Sequence, residues 1–226
     1  MERHFDQELV SLKEELLKMG TMVEQAIFES IEALKELDTD MAKVVINNDK
    51  LIDDLENEID EICLDLLALN QPVASDLRFI AMVMKITTDL ERIADLAVDI
   101  AQRVLELSGK PLLKPLVDIP KLAELAKEMV ISSLNAFVNK DADLAGRVIL
   151  LDRDADRLRD IVQEELVNNF LTKDASAARR AVPLILIARH LERICDHATN
   201  IAEDVIYMLQ AEVVKHHRER LKNKFF

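Results

Sequence analysis

The sequence predicts an all-α protein built from long helices. Its 226 residues include only three Gly and five Pro, so the residues that interrupt helices are scarce. Half of the residues are apolar, which is enough for a packed core, and only 4% are aromatic. A sheet protein needs turn residues every ~8 to 12 positions, and this chain lacks them. Long helices joined by few breaks are therefore the architecture that the composition favours.

Three helices are predicted in the first half, because apolar residues recur there at three-to-four spacing. Asp38 and Asp40 are suitable residues to cap the second helix, and Asn70-Gln71-Pro72 separates it from the third. The predicted helices span 5–37, 41–69 and 73–107.

A linker at 108–120 follows, since it holds one of the three Gly and three of the five Pro. The helical pattern then resumes in the second half. Pro183 falls inside the last predicted helix, so it is expected either to kink that helix or to mark a later start. The predicted helices of this half span 120–139, 142–171 and 174–209.

The two halves form an internal repeat. A Leu-Glu-Arg-Ile-x-Asp motif at 90–95 recurs at 191–196, and a pattern of Asp, Ala, Val and Ile within 38–55 recurs within 141–158. The offset between the halves changes from 103 to 101, which predicts a two-residue deletion near the second hairpin. Each half is therefore expected to be an up-down-up three-helix bundle. The predicted domains are 1–110 and 111–226.

Acidic residues four positions apart form a stripe on the third helix of each half. Residues at this spacing drift only ~40° around a helix, so they share one face. Leu90, Ile93 and Ala97 cluster on the opposite side, which predicts that the acidic stripe lies outside the core. The stripe residues are Glu91, Asp95 and Asp99 in the first half, and Glu192, Asp196 and Asn200 in the second.

The hairpin register brings further acids opposite each stripe. In an antiparallel hairpin, residues equidistant from the turn lie side by side. The two hairpins are centred on Pro72 and Asp174. With these centres, the acids on the second helix of each half lie beside the acidic stripe on the third helix. The predicted pairs are Asp53 with Glu91, Asp49 with Asp95, Asp156 with Glu192 and Asp152 with Asp196.

Converging carboxylates of this kind suggest a metal site in each half, with Asp99 or Asn200 as a fifth oxygen ligand. Like charges repel unless a cation or bound protons neutralise them. Oxygen donors suit hard cations such as Mg²⁺, Ca²⁺, Mn²⁺ or iron. A solvated acidic face is one alternative, and neutralisation by arginines is another. His190 and His197 are expected to be packing or surface residues rather than ligands. The arginines considered are Arg78, Arg92, Arg179 and Arg193.

Several function classes are disfavoured by the sequence. The formal net charge is −14, from 29 Lys and Arg against 43 Asp and Glu, which argues against a nucleic-acid binder. No uncharged run approaches the ~20 apolar residues of a membrane span, and the first residues do not read as a secretory signal. We therefore predict a cytoplasmic protein with at most peripheral membrane association. The basic tail, 211–226, is either a contact for a membrane surface or partner, or a helical extension.

Enzyme chemistry is not indicated either. The chain has no GxxxxGK, GxSxG or HExxH motif. Di-iron bundles need Glu-x-x-His on two helices, and no Glu here has a His three residues later. Cys63 and Cys195 lie among apolar residues at helical spacing, so we expect two buried reduced thiols. We predict that the chain is not an enzyme; the alternative is a carboxylate-bridged, metal-dependent hydrolase or oxidase.

The motifs at 89–95 and 190–203, with Pro-Leu-Leu-Lys-Pro-Leu at 111–116 between them, resemble the PhoU family of bacterial phosphate-signalling regulators. The resemblance covers essentially the whole chain. It implies two tandem three-helix bundles whose acidic motifs bind iron or zinc clusters at the surface. This sequence departs from the family pattern at Asp99, where the family more often has Asn. The motif residues that correspond are Glu91, Asp95, Glu192, Asp196 and Asn200, with Asp49, Asp53, Asp152 and Asp156 as their partners on the second helix of each half.

The same resemblance implies a function and a set of partners. Members of the family repress the phosphate regulon and modulate phosphate transport. They act as adaptors between the ATPase of the phosphate transporter, PstB, and a membrane sensor kinase, PhoR. We therefore expect this chain to be a homodimeric negative regulator that docks on a PstB-like ATPase and a PhoR-like kinase.

Overall fold

A computed structural model describes residues 2–211, and over that range the regular secondary structure is helical, with no strand. The all-α prediction is confirmed. The basic tail falls outside the described residues from position 212 onward, so its two interpretations stay predictions. The α-helices are α1 (Glu2–Glu36), α2 (Thr39–Asn70), α3 (Ala74–Leu107), α4 (Asp118–Asn139), α5 (Ala142–Leu166) and α6 (Ala178–Gln210).

The six helices form two three-helix bundles, α1 to α3 and α4 to α6, in which each helix packs against the other two of its bundle. The bundles are joined by α3 against α6 and by α1 against α4. The buried apolar side chains consequently form one continuous core that passes through both bundles. Burial of this shared apolar surface is the main force holding the two halves together.

The first turn of each bundle has the same construction. Leu37 and Lys140 adopt left-handed backbone conformations, with φ of 51° and 54°, and end the first helix of their bundles. The next residues, Asp38 and Asp141, cap the following helix by accepting backbone N–H bonds. Asp38 accepts from Asp40 and Met41 at 2.9 and 3.0 Å, so Asp38 is the capping residue and Asp40 lies in the first turn.

The second hairpin is irregular where the repeat offset changes. The predicted helix 142–171 ends as an α-helix at Leu166, and its last five residues form a π-helix, Val167–Leu171. A 3₁₀ turn, Ala175–Ala177, then precedes α6. The predicted helix thus does reach Leu171, with its last turn in π form, whereas the predicted start of the last helix at 174 was wrong because a 3₁₀ turn precedes α6.

Two prolines lie inside helices. Pro120 is in the first turn of α4, which begins at Asp118 rather than at Pro120; the first N–H groups of a helix have no intrahelical partner, so proline is tolerated there. Pro183 is buried within α6, which starts at Ala178, later than predicted but still ahead of the proline. Its missing N–H removes the helical hydrogen bond to the carbonyl of Arg179.

Contacts between the bundles include an aromatic pair and a close backbone approach. The rings of Phe79 in α3 and Phe137 in α4 stack with centroids 5.4 Å apart. Gly20 in α1 is buried, and a Cβ atom there would lie 2.5 Å from Cδ1 of Leu134 in α4. The absence of a side chain at Gly20 therefore lets α1 approach α4 closely.

Cys63 and Cys195 are both free and buried, which confirms the prediction made for them. Burial, with a contribution from Asp60, raises the pKa of the Cys63 thiol to about 12, so the nucleophilic thiolate is suppressed. None of the helices in the described range has an apolar stretch long enough to cross a bilayer.

Removal of the α2 cap should destabilise the protein. We expect Asp38→Ala to lower the free energy of unfolding by about 0.5 to 2 kcal/mol, because two backbone N–H groups lose their acceptor. The matched control is Asp40→Ala, which removes an exposed ion pair with Lys43 and a first-turn acid but leaves the cap in place, so it should cost less, about 0.3 to 0.5 kcal/mol. Urea unfolding of both variants checks this, and equal losses would contradict the assignment of the cap.

Candidate metal centres

The first carboxylate centre lies between α2 and α3. We define it by Asp49, Asp53 and Glu56 of α2 and Glu91 and Asp95 of α3. Asp49 is close enough to Asp53 and Asp95 for their charges to raise its pKa, and Glu91 is influenced in the same way by Asp95, Glu56 and Asp53. The antiparallel register of α2 and α3 thus brings together the acids that the sequence places at one level.

Asp49 is the most strongly perturbed acid of the first centre. Burial, followed by the charges of Asp53 and Asp95, raises its pKa from 3.8 to about 6. Asp49 borders a cleft of about 370 Å³ between α1, α2 and α3, lined mainly by apolar side chains such as Met22 and Val98. These apolar walls withdraw the carboxylate from water, which disfavours its charged form.

The remaining acids of the first centre are also partly desolvated. Burial and Asp95 raise the pKa of Glu91, while Arg92 lowers it. Burial and Asp60 raise the pKa of Glu56. The Glu91 side chain is only 16% exposed, so the stripe lies at the boundary between core and solvent rather than on an open face. The groove between the two helices accounts for this position.

Arg92 is the cation of the first centre. Its Nη1 atom lies 3.0 Å from Oδ2 of Asp95, and its Nε atom lies 3.3 Å from Oε2 of Glu91. The Arg92 side chain is 56% exposed. One exposed guanidinium pairs with two of the five carboxylates, and exposed ion pairs of this kind are weak.

One buried oxygen of the first centre suits a bound cation. Oδ1 of Asp49 and Oε2 of Glu91 are buried and accept no hydrogen bond, but Oε2 of Glu91 has Nε of Arg92 at 3.3 Å as an ion-pair partner. A buried acceptor without a partner is unfavourable, and a bound cation would satisfy Oδ1 of Asp49. The donor set consists of carboxylate oxygens alone, which matches hard cations. The residues of the first centre therefore fit a metal.

In their present rotamers, the carboxylates of the two centres do not surround a common point where a metal ion could bind. Across the residues that the structure describes, no three His, Cys, Asp or Glu side chains are placed to hold an ion together. Binding at either centre would therefore require carboxylates to change rotamer and converge. The metal sites stay a prediction.

The second carboxylate centre lies between α5 and α6, and we define it by Asp152, Asp156, Arg159, Glu192 and Asp196. Glu192 is 19% exposed, and its pKa is raised by burial and Asp196 but lowered by Arg159. Asp152 is buried and accepts from Oγ1 of Thr199 at 3.5 Å. Arg159 reaches both Asp156, at 3.1 Å, and Glu192, at 3.6 Å.

Asp99 and Asn200, the predicted fifth ligands, make their contacts at the junction of α3 and α6. Nδ2 of Asn200 donates to Oδ1 of Asp89 at 3.3 Å, and Oδ2 of Asp99 lies 3.6 Å from Nδ1 of His190. Nδ1 of His197 is 2.7 Å from the same oxygen of Asp89. Both histidines thus pair with acids across the junction between the bundles.

Sequence reasoning missed four residues of this region. Glu56 and Asp60 follow Asp49 and Asp53 at helical spacing, so extending the acidic stripe along α2 would have found them. Arg159 could have been found because it occupies, in the second half, the position that corresponds to Glu56 in the first half. Asp89 had no comparable signal, because its partners belong to the other bundle. Of the arginines considered beforehand, Arg92 pairs with acids here, whereas Arg78 donates to the carbonyl of Met208.

The fold and these sites define a tandem-repeat, all-α protein with an acidic groove on each repeat. The PhoU domain model matches the chain twice, at residues 16–104 and 119–205. A phosphate-specific transport system accessory protein PhoU homolog from Aquifex aeolicus is 41% identical over 217 residues, covering 96% of this chain and 97% of the relative. The chain belongs to the PhoU family.

Two crystal structures share the fold. PhoU from Pseudomonas aeruginosa superposes with a TM-score of 0.88 and 38% identity, over 92% of this chain and all of the other. The phosphate transport system regulatory protein PhoU from Streptococcus pneumoniae gives a TM-score of 0.86 and 31% identity, over 93% of this chain and 99% of the other. These relatives are named as accessory and regulatory proteins, and this family membership confirms that the chain is not an enzyme.

The raised pKa of Asp49 predicts how stability changes with pH in metal-free protein. The folded state binds the Asp49 proton more tightly than the unfolded state, so this group favours folding below about pH 4 and loses that contribution as the pH rises through 6. We expect wild type to lose stability over this window relative to Asp49→Asn, as measured by urea unfolding. Asp54→Asn removes an exposed acid from the same helix and should follow wild type. Parallel curves for wild type and Asp49→Asn would contradict the prediction.

Proposed function

We propose that this protein is a negative regulator of the phosphate-starvation response and of phosphate transport. The observation that carries the proposal is its similarity along 96% of its length to a phosphate-specific transport system accessory protein. The two family domains account for both halves, so the proposal concerns the whole chain rather than one segment.

The proposed mechanism is that of an adaptor. The protein would contact the ATPase of the phosphate transporter, a PstB-like protein, and a membrane sensor kinase, a PhoR-like protein, and hold the kinase in its repressing state while phosphate is plentiful. A continuous core through both bundles supports this role, because two surfaces on one rigid body keep a constant separation. The partners themselves are taken from the family resemblance.

Metal ions in the two carboxylate centres form a second part of the proposal. Iron or zinc is expected from the family resemblance, and Mg²⁺ or Ca²⁺ from the oxygen donors. The buried oxygen of Asp49 that lacks a hydrogen-bond partner supports a cation in the first centre. A bound cation would cancel part of the charge that the acidic surface presents to a partner, which favours docking on acidic proteins.

Cytoplasmic location and homodimer formation complete the proposal. The PstB-like ATPase would lie at the inner face of the membrane, and the regulator has to reach it there. Light scattering coupled to gel filtration tests the dimer, which would appear at twice the 25.7 kDa mass of the chain.

Repression in cells should depend on the acids of the centres. In a strain that lacks this protein, we expect a phosphate-starvation reporter to stay active in phosphate-rich medium, and wild type to restore repression. Asp95→Ala should restore it only partly, because the first centre loses an acid that binds both Arg92 and the expected cation. Asp54→Ala, at an exposed position of α2, is the control and should repress fully.

Partner capture provides the direct test of the adaptor. Full-length protein retrieved from phosphate-replete cells should bring down the transporter ATPase and the sensor kinase, identified by mass spectrometry. Capture of neither protein, together with normal repression in the strain that lacks the chain, would overturn the proposed function.

A further inference from the structure

The two carboxylate centres differ at one repeat position. Glu56 in α2 and Arg159 in α5 are separated by the same 103 residues that relate Asp49 to Asp152 and Asp53 to Asp156. The first centre therefore has a fifth acid where the second has an arginine. This exchange alters the charge of one groove by two units.

Arg159 lies within the acids of its groove. Its Nη2 atom is 3.1 Å from Oδ1 of Asp156 and 3.6 Å from Oε1 of Glu192, and its Nη1 atom is 3.1 Å from Oδ1 of Asp160. The side chain is 29% exposed and its Nε atom is buried. An arginine in this position fills the space that a metal ion would need and pairs with the carboxylates that would bind it.

Arg92, the cation of the first centre, is placed differently. It is 56% exposed and pairs with two carboxylates, Asp95 and Glu91, so it can turn into solvent more easily than the less exposed Arg159. Displacing Arg159 would separate it from three carboxylates at once. The first centre is therefore the easier one to open for a metal.

The hydrogen-bonding of the buried carboxylate oxygens also favours the first centre as the metal site. In the first centre, Oδ1 of Asp49 is buried without a hydrogen-bond partner, and the buried Oε2 of Glu91 has only an ion pair with Arg92 at 3.3 Å. Within the described part of the chain, the second centre contributes no carboxylate oxygen to this group, and its buried acid, Asp152, accepts from Thr199. Arg159 already neutralises part of the charge of the second groove, so the second centre fits a metal less well than the first while Arg159 stays in place.

We infer that the two centres are unequal, with the first binding a divalent cation and Arg159 substituting for that cation in the second. The inference rests on the metal part of the proposed function and narrows it, because it expects strong binding in the first centre only. It assigns Arg159 as the residue that determines where the metal binds.

Manganese binding to the full chain tests the inference. Mn²⁺ is a hard cation, its free form is counted by electron paramagnetic resonance, and bound Mn²⁺ broadens nearby amide signals in nuclear magnetic resonance spectra. We expect wild type to bind at the first centre, with broadening around Asp49 and Asp95, and to bind about tenfold more weakly at the second, because affinity follows the net charge of the ligand set.

Arg159→Glu should strengthen binding at the second centre by about tenfold or more and leave the first centre unchanged. Arg147→Glu is the matched control, since it makes the same charge change at an exposed position of the same helix. Arg159→Gln removes the positive charge without adding an acid, so it remains informative if Arg159→Glu does not fold. It should also strengthen Mn²⁺ binding at the second centre. The reverse change, Glu56→Arg, should weaken the first centre.

Three results would overturn the inference. Equal Mn²⁺ affinity at both centres of wild type, or no gain at the second centre in Arg159→Glu and Arg159→Gln, would refute the assignment of Arg159 while metal binding itself stands. Absence of Mn²⁺ binding at either centre would refute both this inference and the metal part of the proposed function.

Discussion

The packing of α3 against α6 is the constraint on which the rest of the molecule depends. It merges the cores of two three-helix bundles into one, and it involves the same two helices that carry the acidic stripes. Both α3 and α6 therefore contribute in two ways. The apolar side of each helix joins the bundles, and an adjacent side places Glu91 or Glu192 in a groove. A change in the angle at which α3 crosses α6 would therefore displace both carboxylate centres at once.

Carboxylates in these grooves are held partly out of water and close to one another. Their repulsion is unfavourable, and the protein reduces it with an exposed arginine at the first centre and a less exposed arginine at the second, while the same crowding and burial raise the pKa of Asp49. Groups that tolerate such strain usually serve a function, because a surface under no such demand would interleave acids with bases. The resting electrostatics thus agree with a role in binding cations or charged partners.

The helices, the repeat and the hairpin register were all predictable, because each depends on local signals. Apolar spacing marks the helices, Asp38 and Pro72 mark turns, and antiparallel geometry then positions Asp49 beside Asp95. The π-helix at 167–171 was not predictable, since its residues carry no distinct pattern. The pairing of Asp89 with His197 depends on how two bundles dock, and single-helix periodicity contains no information about that.

The contacts across α3 and α6 also explain why the two halves need each other. Asp89 faces Asn200 and Lys85 faces Asp204, whereas the repeat positions of Asn200 and Asp204 in the first half are Asp99 and Arg103. If two copies of the first half associated through α3 in the same register, acid would face acid and base would face base. At this junction the second half of the chain therefore supplies complementary partners that a second copy of the first half would not.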